Sequence, residues 1–217
     1  MLTTLVCLAA ITPQPRHAVL FHLPGEDGRN DCLLMQEGLS RRSPSITSEI
    51  HELRDQTSWV YLSEAAEHWP DAPLLVFVSG VGGVDRTRLM PQLRFGDRNT
   101  DWATVFQSFP KKPGIELITD TGYTNLLQSY LPPNVVAIVP DATWRDVTQA
   151  RQVITVVHNG KTMQTGIVSY ILAREIPFAT SLADLAYRVN KTKDSGSMAA
   201  MWAELPRLKL LGRDSKL

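Results

Sequence analysis

The chain of 217 residues carries 22 Lys and Arg against 22 Asp and Glu, with 43% hydrophobic and 20% charged residues. That length buries a full core without metals or disulfides, and the balanced charge excludes a global positive field that would gather nucleic acid or an anionic membrane. Its apolar runs all stop short of the about 18 residues of a spanning helix, so the chain reads as one soluble α/β domain over 1–217, with a seam between halves near 95–114.

In chain order, 2–11 (LTTLVCLAAI) reads as a first strand stopped by the Pro-rich turn at 12–15; the alternative, a cleaved signal segment, lacks the basic residues that precede such a core. Cys7 and Cys32 are too few for a four-cysteine metal site and suit reduced, buried thiols, which points to the cytoplasm. Further strands are expected at 18–21, 59–62, 74–78, 115–118, 135–139 and 153–157, most of them apolar throughout. Helical spacing marks 31–39, 47–54, 63–69, 86–93, 100–109, 123–131, 143–151, 165–174 and 181–189, and a short helix is expected around 198–205 before a basic tail. This alternation predicts a mainly parallel sheet with helices on both faces, Rossmann-like or SPOUT-like.

In open parallel sheets, ligands bind at the edge where strands end, and four expected strand exits carry glycine, hydroxyl or carboxylate residues. After 74–78 comes Ser79-Gly80-Val81-Gly82-Gly83, in which Ser79, Gly80 and Gly82 are candidates to let a phosphate or ribose approach the backbone, with a following helix aiming its amides there. The loop is neither a Walker motif nor a complete G-x-G-x-x-G, and a plain strand-to-helix turn is the competing reading. Asp120 and Asp141 each end a strand, where a carboxylate binds ribose, acts as a base or merely caps the next helix. Gly160 and Thr165 come after 153–157 in the rhythm of nucleotide-binding proteins. His22 and Glu26, just beyond 18–21, form a further cluster. The H-E-x-x-H, C-x-x-C and G-x-S-x-G motifs are all missing, and no metal is expected.

At 139–145 (VPDATWR) the sequence resembles the signature of the DTW-domain family, an apolar strand followed by D-x-T-W and a basic residue. Upstream, 7–26 is similar to that family's run of cysteine, Pro-containing turn, apolar strand and His-Pro-x-Glu, although a leucine separates His22 from Pro24. Downstream, 164–170 stands where the family has an S-T-x-E-A helix start, without the Glu, and the family's zinc cysteines are missing. The resemblance implies a SPOUT-like fold with a knotted C-terminal part, binding S-adenosylmethionine and moving its aminocarboxypropyl group to a uridine of tRNA. It places Asp141, Thr143 and Trp144 in the cofactor and catalytic pocket, with His22 and Glu26 nearby, and makes RNA a partner that the net charge does not itself support.

The leading expectation is therefore a transferase using a nucleoside-containing cofactor. Its rivals are a non-catalytic nucleotide-binding or sensory module, a nucleotide-sugar-dependent transferase with Asp120 or Asp141 on the donor ribose, and a structural or interaction domain whose strand-exit residues are all caps. Clustering of Asp120, Asp141, Ser79 and His22 around one cleft would favour an enzyme; substrate and oligomeric state stay open.

Overall fold

Strands that are apolar from end to end can be covered on both faces, and they form the centre of this molecule. In the computed structural model, which describes residues 15, 17–95, 98–112, 114–141, 151–194 and 207–212, β1 (His17–His22) and β3 (Leu74–Ser79) are buried at all six positions. They join β2 (Thr47–Glu52), β7 (Ile115–Asp120), β8 (Val135–Pro140) and β11 (Leu208–Leu211) in one sheet of order β11-β8-β7-β3-β1-β2. Every neighbouring pair is parallel except β11 with β8. Between β3 and β7 the chain inserts a small antiparallel meander, β4 (Gly82–Asp85), β5 (Met90–Phe95) and β6 (Arg98–Asp101). A two-stranded ribbon comes after β8, made of β9 (Val153–His158) and β10 (Lys161–Gly166).

The period-two alternation of strand side chains divides the core. Val19, Phe21, Leu74, Val76, Val78, Ile115 and Leu117 face α2 (Val60–His68) and α3 (Trp102–Gln107), and Trp59 and Trp102 fill that side. Ala18, Leu20, Leu75, Phe77 and Ile118 face the other way, onto α1 (Glu26–Ser40), α4 (Ile167–Glu175) and α5 (Leu182–Asp194). The expected mixed α/β class with a mainly parallel sheet is what the chain adopts.

Four expected elements differ, each for a local reason. The run 59–62 is helical, because Asp55 accepts hydrogen bonds from Thr57 N at 2.8 Å and Thr57 Oγ1 at 2.5 Å, which starts a 3-10 turn over Gln56–Trp59 that continues into α2. The segment 47–54 holds the edge strand β2 (Thr47–Glu52) rather than a helix; it pairs with β1, and His51 packs its ring against Tyr61 and Phe21. The segment 86–93 turns back as a hairpin: Asp85 accepts from Thr87 N and Arg88 N at 2.9 and 3.2 Å, Leu89 has φ +52°, and Pro91 would break a helix.

The fourth correction bears on the site. The strand at 153–157 does not enter the parallel sheet. It folds back on β10 through Asn159 (φ 49°) and Gly160 (φ 75°), the left-handed pair of a type I′ hairpin turn. Its exit therefore lies away from the sheet edge. The expected segments 2–11 and 198–205, and 143–151 up to its last residue, with Cys7, Thr143 and Trp144, lie outside the described residues. No described helix is long and apolar enough to cross a membrane.

Candidate functional site

Parallel register brings the exits of β1, β3 and β7 side by side: His22 pairs with Ser79, and Ser79 with Asp120. Ser79 and Asp120 are almost wholly inaccessible, at 0% and 3%. They meet two groups from distant parts of the chain, Asp31 on the buried face of α1 and Arg151 just before β9. The Asp31 carboxylate is saturated. One oxygen accepts from Thr165 Oγ1 at 2.6 Å and Gly166 N at 2.8 Å, the other from Ser79 Oγ and from an Arg151 Nη. Asp120 accepts from the amide and hydroxyl of Ser169, at 3.1 and 2.5 Å, with Arg151 Nε 3.7 Å away. The second Nη of Arg151 pairs with Asp27.

One guanidinium thus stands among three carboxylates, and its side chain is 3% exposed. Desolvation works against its charge, but Asp120, Asp31 and Asp27 together outweigh that and hold Arg151 more firmly protonated than usual. Desolvation also raises the Asp120 carboxyl above the ordinary carboxylate range; Asp31 adds to the rise, while Arg151 and the Ser169 hydrogen bonds oppose it. Gly166 is required here, because a Cβ at that position would run into the Asp120 carboxylate and the Arg151 guanidinium. The network joins α1, β3, β7, β10 and α4, and both oxygens of Asp31, at its centre, are taken by protein donors.

The expected site residues distribute unevenly around it. Ser79, Asp120 and Thr165 converge, as internal partners. Asp120 does not cap the helix that comes next in the chain; it accepts from the amide and hydroxyl of Ser169, in the first turn of α4, 49 positions on. Gly80 and Gly82 do not lead into the expected helix, since Ser79 is followed by strand β4. Their missing side chains make room for protein: a Cβ at Gly80 (φ 139°) would lie 2.5 Å from that of Leu23, and one at Gly82 2.6 Å from the Gly122 carbonyl oxygen. Gly160 sits in the hairpin turn, far from the strand exits in the sheet. His22 is buried with its Nδ1 3.1 Å from the Leu23 carbonyl oxygen, whereas Glu26 is exposed in the first turn of α1. Asp141 is exposed, its backbone N donating to Arg207 O at 2.6 Å. Thr143 and Trp144 lie outside the described residues. No hydrogen bond or ion pair among the described residues joins Asp141, His22 or Glu26 to Asp120.

Asp27, Asp31, Arg151 and Ser169 are the members that sequence reasoning missed. Asp31 had a signal: it shares a helical stripe with Met35, Leu34 and Gly38, where a lone carboxylate requires partners. Cys32, next to it, is fully buried and free, and burial, with Asp31 beside it, pushes its thiol well up. Among the described residues no group of three or more His, Cys, Asp or Glu side chains is placed to hold a metal ion. A groove of about 480 Å³ between α1 and α4 is lined by Glu37, Arg41, His158, Tyr170, Arg174 and Phe178, among others, and by none of the expected site residues.

No family model matches the chain, and no curated protein does. Among solved structures it is similar to the crystal structure of drICE, a caspase, with a TM-score of 0.52 and 12% identity over 92% of this chain and 89% of that one. At that identity the likeness concerns the fold, which is caspase-like. This corrects the expected function: the structural neighbour is a caspase, which points away from an S-adenosylmethionine-dependent transferase, and of the two carboxylates expected on a nucleoside ligand Asp120 is buried while Asp141 is exposed. What the comparisons and the geometry establish together is a caspase-like α/β fold with a closed carboxylate–arginine network at its central strand exits.

Proposed function

We propose that this chain is a binding or scaffolding module on a caspase-like fold, without peptide hydrolysis of its own. The observation that carries this reading is the closed network: the two central strand exits present Ser79 and Asp120, and both are bound internally around Asp31 and Arg151. Cysteine-peptidase chemistry needs a thiolate beside an imidazole. The caspase signature Q-A-C-[RQG]-G does not occur in the sequence, where the exit of β7 reads Thr119-Asp120-Thr121-Gly122 and that of β3 reads Ser79-Gly80-Val81. Cys7 stands in Leu5-Val6-Cys7-Leu8, and Cys32 is a buried thiol held protonated by its surroundings.

The test is incubation of the native protein with a mixed peptide library, and separately with a thiol-directed alkylator and a hydroxyl-directed fluorophosphonate. The expected result is no cleavage above buffer, with Cys32 alkylated only once the protein is unfolded. Turnover that Cys32→Ala, Cys7→Ala or Ser79→Ala abolishes, or stoichiometric labelling of one of these residues in the folded state, would overturn the reading.

A further inference from the structure

Exposed strand edges invite pairing with another chain, and proteins blunt them with charge, shortness or cover. Among the described residues, five strand edges obey that rule. β2 carries Glu49 and Glu52, β11 has four residues with a lysine among them, and β4 and β6 are four-residue strands bearing Asp85, Arg98 and Asp101. The outer edge of β10 is covered by α1, where Asn30 Nδ2 donates to the Gln164 carbonyl at 2.8 Å.

β9 differs from all of them. It is six residues long, it pairs with β10 alone among the described residues, and from Val153 to Val157 it is uncharged and β-branched at every position. Val153 is 43% exposed and Val157 74%. The two-residue turn at Asn159-Gly160 fixes which backbone groups are engaged: His158 and Lys161 flank it as a hydrogen-bonded pair, and the pattern alternates along the ribbon. Val156 and Ile154 therefore bond to β10, and the alternation continues to Gln152, whose carbonyl accepts from Ile167 N at 2.9 Å. Val153, Thr155 and Val157 point their N–H and C=O groups away from β10.

We infer that β9 is a self-association edge, at which a second copy of this chain adds its own β9 antiparallel about a two-fold axis through Thr155. That register faces Thr155 with Thr155 and Val153 with Val157, as hydrogen-bonded pairs of β-branched residues. It places His158 opposite Gln152 and so sets no like charges against each other. Because α1 covers the outer edge of β10, the pairing closes at two copies and yields a four-stranded ribbon rather than a fibre.

Sedimentation velocity of the full chain should show its mass rising toward the dimer with concentration. Val157→Lys, at an exposed position outside the β9–β10 hydrogen bonds, should keep the parent's melting temperature when monomeric and weaken association by about tenfold or more. The register has its own readout. In a hydrogen-bonded antiparallel pair the Cα atoms are about 5.5 Å apart, within disulfide range, so Thr155→Cys should crosslink two copies under mild oxidation. Val157→Cys should not, since its two copies would stand roughly 14 Å apart along the strands. A parent that stays monomeric to about 1 mM, a dimer indifferent to Val157→Lys, open-ended assembly, or a Thr155→Cys crosslink no more efficient than that of Val157→Cys would each overturn the inference.

Discussion

β3 and β9 read almost alike in sequence, Leu-Leu-Val-Phe-Val and Val-Ile-Thr-Val-Val, yet one is buried at every position and the other alternates between exposed and half-buried. The difference comes from the turn at the end of each run. A parallel neighbour needs a crossover of about a dozen residues or more, whereas Asn159-Gly160 reverses the chain in two and commits β9 to the strand that comes next. β3 gains β1 and β7 on its two edges; β9 gains β10 on one. Both of these apolar runs become strands, and the turn after each decides where the strand lies.

If the ribbon depends on the sheet for its position, the largest effect should come from the residue that ties them. Arg151→Leu leaves Asp31 and Asp120 buried without their cation, so it should cost about 3–5 kcal/mol in urea unfolding, with part of the loss recovered in acid as the carboxylates become protonated. A melting temperature within a degree of the parent's would break the link between ribbon and sheet.

The next effect belongs to the sheet alone. Burial raises the Glu116 carboxyl on β7 to about 7, with Arg42 opposing. The folded chain thus holds this proton more tightly than the unfolded one. The resulting stabilisation is fully present below the unfolded value of 4.5 and is lost as pH rises through about 7. The parent should lose up to about 3 kcal/mol across that window, and Glu116→Gln should flatten the profile and be the more stable at pH 8. An unchanged profile would show that Glu116 is solvated.

Smaller still, Gly166→Ala forces a methyl against Asp120 and Arg151 and should destabilise by about 1–3 kcal/mol, with hydrogen exchange accelerating in β9 and β10 before β3. At the far end of the ribbon, Gly160→Ala meets open space and acts only through its φ of 75°. A cost of about 1 kcal/mol is expected there. If Gly160→Ala proved the more damaging, the ribbon would be held by its turn rather than by its attachment to the network.

The parallel sheet was legible because 18–21, 74–78, 115–118 and 135–139 are apolar enough to be covered on both faces. The ribbon has a sequence signal too, the Asn159-Gly160 pair, which competes there with the rhythm of nucleotide-binding proteins. Of the site, Ser79, Asp120 and Thr165 stood out because polar residues at the ends of apolar strands are conspicuous. Their partners did not, since Asp31 and Arg151 meet across 120 positions, and nothing local in either sequence context records the other. The insertion of β4 to β6 was hidden by Arg86 to Leu93, whose helical spacing loses to the Asp85 turn and to Pro91.

The separation of Asp31 from Arg151 also has a meaning in time. At about 5–20 residues per second, a ribosome needs roughly 6–24 seconds to travel from one to the other, and by then β1, β2, β3 and β7 have all been made. During that interval Asp31, and toward its end Asp120, have been made without their counterion, and protonation or exposure is their only relief. A released fragment ending at Pro140 should therefore resist protease better at mildly acid than at neutral pH, and a released fragment extended through β10 should lose the contrast. The order of translation would make Arg151 the residue that ends the chain's dependence on acidity.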